Sequence, residues 1–446
     1  MAKFLIAVWP FAGHYFPTIA VANALRERGH DPLFYTGTQA IPVIEKAGFA
    51  CSPFQRIDEE HVHRIMFTRE TYASRRQPRQ LQALLRDWLL GTVLGQVTDI
   101  QEIIDHWRPD VVLAETSMLG PMLILHENQS VPVAVFSTVI ACLLPGSNAP
   151  PFGLGLPRPH NWLTRLLANG VQVVSDRLGA GFRQEANCLR GRYGLPPLSV
   201  SVTAYTGQMP LYIVPGVREF DYNRQDLPAS VHYVGPCIWN NPGEEPIPTW
   251  LQKLPNGRPL IHVSEGTLHT ERPLLLQTAV AALSHLPIDL IITTGGNRSP
   301  EEMELGPLPP NVRVERWVSH RHLMPKTDLL ITTGGAGTVM AALTNGVPMV
   351  IVPTDWDKPE NAQRVAEAGV GIRLPLPRCT PYRLRTTVQQ VLENPSYAQN
   401  AARFSQLLRQ YNGPEQTAEL LEALAAATLQ LEPTTRYAAN PIPENI

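Results

Sequence analysis

The chain has 446 residues, enough for two or three domains or for one large two-lobed enzyme. Its 37 Lys+Arg against 39 Asp+Glu leave a net charge of −2, which speaks against a general nucleic-acid binder, and 44% hydrophobic with 17% charged residues excludes global disorder. The 43 prolines, about double ordinary usage, imply many loops of fixed shape.

The opening run MAKFLIAVWP has one Lys and an apolar stretch too short for a signal peptide, and reads as a first buried strand, Phe4–Trp9. The loop Pro10–Pro17 follows, then a helix over Thr18–Arg28 that stops at Gly29, and a second strand at Pro32–Thr36. Val111–Ala114 and Val133–Phe136 are short apolar runs of the kind found in parallel sheets buried on both faces. Ala149–Pro159 reads as loop, with helix from there to Arg192. The clearest linker is Asn240–Pro248, NNPGEEPIP.

A second alternation then begins. Strands are expected at Leu260–Ser264, Leu290–Thr294, Val312–Arg316, Leu329–Thr332 and Met349–Val352. Helices fit Pro273–His285, Gly337–Asn345, Glu360–Ala368 and Pro381–Glu393. Pro414 opens a last helix with apolar Ala418, Leu421, Leu424 and Ala425, and the tail from Pro433 reads as loosely held. Strand–helix alternation on both sides of a linker predicts two doubly wound α/β domains, at 1–239 and 249–410, with 411–446 as a closing helix packed back on the first domain plus its tail. No sequence repeat relates the halves. Open sheets of this kind bind ligands beyond the carboxyl ends of their strands, so the site is sought in the loops after strands.

Cys51, Cys142, Cys188, Cys237 and Cys379 are scattered, odd in number and without a CxxC, which argues against a disulfide scaffold or a cysteine zinc site. With no apolar run long enough to span a membrane, the expectation is a soluble cytoplasmic protein. Thr333–Thr338, TGGAGT, lies between a strand and a helix. Its glycines let the backbone approach a ligand, and a helix N-terminus attracts an anion such as a diphosphate. The same text also fits a tight strand–helix turn, and it is neither a Walker A loop nor a full dinucleotide fingerprint. Gly13-His14-Tyr15-Phe16-Pro17 puts a histidine beyond the first strand, with Pro17 starting the helix. Such a histidine suits general-base work, although one taken alone is more often structural.

Arg64, Arg69, Arg75, Arg76, Arg79 and Arg86 fall in one segment with Met66, Phe67, Tyr72, Leu81, Leu84 and Leu85 between them. They read as solvated helix faces over a core or over a pocket for a flat hydrophobic acceptor; the alternative is an anionic acceptor or a membrane surface. His61/His63 and His320/His322 lack further ligands at metal-binding spacing.

The opening GHYFP with its helix ending RERGH, the loop PPFGLGLP, and the run GGAGTVMAALTNGVPMVIVPTDWDKPENAQRVAEAGVG together resemble the inverting, two-lobed nucleotide-sugar glycosyltransferases of GT-B fold. Bacterial macrolide, carotenoid and flavonoid glycosyltransferases are the nearest in pattern. The likeness is densest in residues 1–40 and 255–375. It implies two Rossmann-like domains facing across a cleft. The implied reaction is metal-independent transfer from a nucleotide diphosphate sugar to a hydroxyl of a small hydrophobic acceptor. No cofactor is implied beyond the co-substrate, with a UDP-sugar favoured and a dTDP-sugar as the alternative. Peripheral membrane contact would follow only from a lipophilic acceptor.

Residue by residue, the resemblance makes His14 the general base and Glu115, in place of the family's Asp, its support, with Asp110 as fallback. Trp317 matches the aromatic that stacks on the base, and Val318 the backbone that meets its edge. Ser264 and Thr267 match the loop that reaches the phosphates, and Thr333, Gly335, Ala336, Gly337 and Thr338 match the diphosphate cradle. Asp357 matches the acid that holds sugar hydroxyls, with Lys358 where the family has Gln, so Asp355-Trp356-Asp357 is not read as a metal motif. Lys358 fits a solvated helix start, or a partner for a charged sugar or phosphate. Thr333 replaces a His, and Ala341 replaces an acid that contacts ribose, which leaves room for a deoxyribose nucleotide. Two rivals stand beside this reading: a nucleotide-sugar 2-epimerase, and a relative that binds a nucleotide sugar or a partner without catalysis.

Overall fold

Short runs of apolar residues buried on both faces assemble into two parallel sheets. The computed structural model describes residues 1–67, 78–128, 131–146, 148–239, 246–254, 257–267, 272–296 and 298–429. Most of the expected linker Asn240–Pro248 lies outside these residues, as do the tail from Pro433 and Arg69, Tyr72, Arg75 and Arg76.

The first sheet comprises β1 (Lys3–Ala7), β2 (Asp31–Thr36), β3 (Ala50–Pro53), β4 (Val111–Glu115), β5 (Val133–Phe136), β6 (Leu211–Val214) and β7 (Val231–Tyr233), in the order β3-β2-β1-β4-β5-β6-β7. The second comprises β8 (Leu260–Ser264), β9 (Asp289–Thr293), β10 (Val312–Glu315), β11 (Leu329–Thr332), β12 (Met349–Ile351) and β13 (Gly371–Arg373), in the order β10-β9-β8-β11-β12-β13. Each order reverses once, between β1 and β4 and between β8 and β11. Ligand crevices form at such reversals.

The helices of nine or more residues that follow are α1 (Ala12–Glu27), α2 (Glu59–Phe67), α3 (Pro78–Leu89), α4 (Val93–Trp107), α5 (Trp162–Leu178), α6 (Ala180–Arg192), α7 (Leu274–Leu283), α8 (Ala336–Asn345), α9 (Lys358–Glu367), α10 (Pro381–Glu393), α11 (Pro395–Leu408) and α12 (Gly413–Leu429). The expected loop Pro10–Pro17 is shorter than the sequence suggests. Pro17 sits inside α1 rather than at its start, at the cost of one helical hydrogen bond. The amides of His14 and Tyr15 already donate to the Phe11 carbonyl, so His14 lies in the first turn.

The first sheet has a core on each face, one under α4 and one under α1. Ala418, Leu421 and Ala425 of α12 enter the α1 side, so the chain returns from the second sheet to the first. Arg28 meets Glu422 with two hydrogen bonds of 2.8 and 2.7 Å, and His30 Nε2 lies 2.6 Å from the same carboxylate. Thr417 at the start of this helix is buried beside Cys237. All five cysteines are free.

His262 of β8 is fully buried, with Nε2 2.9 Å from the Thr293 hydroxyl, and Nδ1 has no hydrogen-bond partner among the described residues. Burial, with His320 beside it, lowers its pKa to about 3. Between pH 6.5 and 3 the unfolded chain therefore takes up a proton that the folded chain refuses, so this contribution to stability is complete above about pH 6.5 and declines as the pH falls. Thermal midpoints measured from pH 7.5 to 4.5 should fall less steeply in His262→Gln than in the parent.

Candidate active site

Glu115 closes β4 at the β1/β4 reversal and is fully buried. One carboxylate oxygen accepts from the Ser117 amide at 2.9 Å, and the other lies 3.3 Å from His14 Nδ1. That contact occupies one ring nitrogen, Nδ1, and leaves Nε2 outside it. Asp110 is excluded from this role. It precedes β4, at the opposite end of the strand, where its carboxylate accepts from the Lys3 amide at 2.9 Å.

An aromatic wall stands beside His14. Phe11 meets the imidazole edge to face at 5.3 Å, Trp9 and Trp88 pack on Phe11, and Phe54 packs on Trp9. Trp356, from the loop after β12, closes edge-on against Trp88 at 6.1 Å and so spans the two halves. Its φ of +58° is a left-handed conformation that a bulky residue adopts only when its surroundings demand it. The Trp88 indole N–H is buried, and no described residue accepts from it.

The second half supplies the loops after β8, β11 and β12. Gly335 precedes α8, and no described atom comes within 4 Å of a Cβ built at Gly335 or Gly337, so the approach to the first turn at Ala336, Gly337 and Thr338 is open. Ala341 is buried one turn further on. Thr333 differs from its expected place in this cradle. Its side chain is buried and its hydroxyl donates to the Glu265 carbonyl at 2.9 Å, so it braces two loops against each other. Ser264 is buried at the end of β8, where its hydroxyl accepts from the Gly266 amide at 3.2 Å; Thr267 beside it is partly exposed. Trp317 presents a half-exposed indole, stacked on His320 at 6.2 Å, while the Val318 side chain is buried in the core beneath.

Asp357 precedes α9, and its carboxylate accepts from Asn361 Nδ2 at 2.7 Å. The same amide donates to the Gly334 carbonyl at 2.9 Å, tying the glycine loop to the Asp357 loop. Burial holds the Asp357 carboxyl above the usual range, against the pull of Lys358, Asn361 and, from the other half, His14. Lys358 is neither solvated nor open to a ligand. It is buried, with Nζ 3.3 Å from Asp355.

Residues outside the sequence-based set bind the two halves together. Arg364 of α9 donates to Asp221 from Nε and Nη2 at 3.0 and 2.9 Å, and from Nη1 to Glu360 at 2.9 Å, all three side chains being buried. Glu360 Oε1 in turn accepts the amides of Gly153 and Gly155 at 3.1 and 2.7 Å, in the PPFGLGLP loop. Gly155 has φ +57°, and a Cβ there would stand 2.6 Å from the Pro359 carbonyl, so only glycine fits. Asp221 also accepts from the Cys142 amide and the Tyr233 hydroxyl. Asn361, Glu360 and Arg364 lie in the run that carried the resemblance, yet nothing in a single sequence pairs Arg364 with Asp221, 143 positions away.

Among the described residues, no group of three or more His, Cys, Asp or Glu is placed to hold a metal, and no helix is long and apolar enough to cross a membrane. Of the arginine-rich segment, Arg64 is exposed, Arg86 pairs with Glu185 at 3.1 Å, Met66 is buried, and Leu84 and Leu85 pack on the core.

Residues 277–424 match the family described as the C-terminal domain of erythromycin biosynthesis protein CIII-like proteins. Over 428 residues the chain is 31% identical to 4'-demethylrebeccamycin synthase of Lentzea aerocolonigenes, covering 95% of this chain and 99% of that one. It is 28% identical to demethyllactenocin mycarosyltransferase of Streptomyces fradiae, over 95% and 87% of the two chains. The crystal structure of the kitacinnamycin glycosyltransferase superposes with a TM-score of 0.73 at 22% identity, covering 95% of this chain and 99% of that one. With two facing parallel sheets and a relative matched from end to end, the chain belongs to the GT-B nucleotide-sugar glycosyltransferases.

Proposed function

We propose that the chain transfers a sugar, with inversion, from a nucleoside diphosphate donor to a hydroxyl of a small, flat, hydrophobic acceptor. The observation that carries this reading is the His14–Glu115 pair, set against the aromatic wall and opposite Asp357. The acceptor oxygen bonds to the anomeric carbon as its proton passes to His14 Nε2. The bond from that carbon to the diphosphate breaks on the opposite face, and the electron pair leaves with the diphosphate. Glu115 holds the imidazole in the tautomer with a free Nε2 and supports its cationic form.

The amides at the start of α8 face the departing charge, aided by the helix dipole. Asp357, steadied by Asn361, receives sugar hydroxyls, and Trp317 offers its half-exposed face to the base, with the Val318 backbone at the base edge. Thr267 reaches toward the phosphates, while Ser264, Thr333 and Lys358 shape the loops from behind. Ala341 places no acid near the ribose and so favours a thymidine donor as readily as a uridine one.

Thermal unfolding with UDP, dTDP and GDP, each at about 100 times its Kd, tests the donor half of this reading, since such a ligand stabilises the fold by about 2.7 kcal/mol. A rise of the midpoint with one uridine or thymidine diphosphate is expected. No rise with any of them would remove the cradle. Transfer assays on a panel of flat aromatic alcohols then test the acceptor half, with the anomeric configuration read by NMR. An epimer formed from the donor alone would instead mark a 2-epimerase.

A further inference from the structure

Helix α5 is oriented against the usual rule for amphipathic helices. Its half-buried residues are Thr164, Ala168, Val171, Gln172 and Ser175, which at 100° per residue share one side. The outward arc carries Trp162, Leu163, Leu166, Leu167, Val173 and Val174, ends at Leu178 beside Val171 and includes the exposed Arg177; its seven apolar residues are between 50% and 77% exposed. No residue of the helix is fully buried. Together they present roughly 800 Å² of apolar surface, more than the largest patch on most monomers and about one partner's share of a standard interface.

We propose that this face is a homodimer interface in which α5 of one protomer packs antiparallel on α5 of its partner across a twofold axis. Gly170 lies midway along the helix and at the centre of the apolar side, and no described atom comes within 4 Å of a Cβ built there. A twofold through Gly170 sets Leu166 against Val174, Leu167 against Val173 and Trp162 against Leu178, each pair occurring twice. Apart from Leu163, which falls opposite Arg177 of the second copy, the stripe is self-complementary, as an isologous contact requires. The missing side chain at the crossing point lets the two backbones approach. A second copy matches this face better than a bilayer does, because the helix carries only Arg165 and Arg177 against Asp176. It also matches better than a small acceptor, which needs a concave pocket, whereas this face points away from the body of the protein.

The test is sedimentation of the full chain, combined with directed cross-linking. The wild type should sediment as a dimer at micromolar concentration and Leu166→Glu as a monomer. Both should keep the same far-UV spectrum, since Leu166 is exposed in the single protomer, whereas the thermal midpoint of the wild type alone should rise with protein concentration, because dimerisation stabilises only the folded chain. In a Cys188→Ser background, which removes the one cysteine exposed on the surface, Gly170→Cys should form an intermolecular disulfide under mild oxidation. Gln172→Cys, on the other side of the helix, should not. A monomeric wild type overturns the proposal, and so does a dimer that survives Leu166→Glu, or cross-linking at position 172 but not at 170. Binding of a monomeric wild type to phosphatidylglycerol vesicles would name a bilayer as the occupant and equally overturn it.

Discussion

His14→Ala is expected to lower turnover by a factor of about 10²–10⁴, the usual loss on removing a positioned general base. The nucleotide-induced rise in thermal midpoint should stay unchanged, because His14 belongs to the first half and the diphosphate cradle to the second. The effect should therefore fall on kcat at saturating donor and acceptor. Glu115→Gln keeps the shape of the side chain but removes the charge that supports an imidazolium 3.3 Å away. It should cost less than His14→Ala and alter the pH profile of kcat. If His14→Ala transfers sugar at the wild-type rate, the base has been wrongly assigned.

Arg364→Met is expected to have the largest effect on stability, about 3–5 kcal/mol, because it leaves the buried carboxylates of Asp221 and Glu360 without their shared cation. Arg364→Lys should recover little, since one ammonium cannot serve both carboxylates as the guanidinium fork does. Asp221→Asn placed on Arg364→Met should restore part of the loss, which separates an unpaired charge from lost packing. Activity should also fall, because α9 follows directly on Asp357 and carries Asn361.

The same network has a pH signature. Burial alone would raise the Asp221 carboxyl, but Arg364, the Tyr233 hydroxyl and the Cys142 amide hold it below the usual range. Its contribution to stability is therefore present above about pH 4, the ordinary carboxylate value, and is lost as the pH falls through the lower folded value. Thermal midpoints read by scanning fluorescence against pH should show a decline below about pH 4 that Asp221→Asn removes.

The strands next to each sheet reversal were legible because they are runs of Val, Ile and Leu closed by turn formers, as in Val111–Glu115 and Leu329–Thr332. Ala50–Pro53, Val231–Tyr233 and Gly371–Arg373 were not, being short, partly exposed edge strands without an apolar run. Leu211–Val214 carries the same signal as the strands beside the reversals, an apolar run between Pro210 and Pro215-Gly216, and was readable by the same rule. Helix α11 did leave a trace in Tyr397, Ala401, Phe404 and Leu408, which fall at helical spacing and pack inward. Pro17 misled because a proline near a helix start usually marks its first turn, and here the Phe11 carbonyl caps the helix five residues earlier.

At the site, Glu115 was readable as the support of His14 with Asp110 as fallback, and the direction of β4 puts Glu115 at the end beside His14 and Asp110 at the other. Lys358 and Thr333 read as ligand-facing because a sequence gives position along a loop but not the side to which a chain turns. The contacts to Asp355 and to the Glu265 carbonyl supply that side.

The return of α12 to the first sheet bears on how such enzymes are recombined. A donor-binding half joined to the first sheet by a single connecting segment could be grafted from a relative with one splice. Here a graft would need two junctions, one near 240–248 and another in the short stretch between α11 and α12. A single-splice hybrid would import a foreign α12 against the resident Arg28 and His30, and would lose their contacts with Glu422 unless the incoming helix supplies an equivalent acid. Hybrids that keep residues 413–429 with their own first half should therefore be recovered in soluble form more often than those that do not.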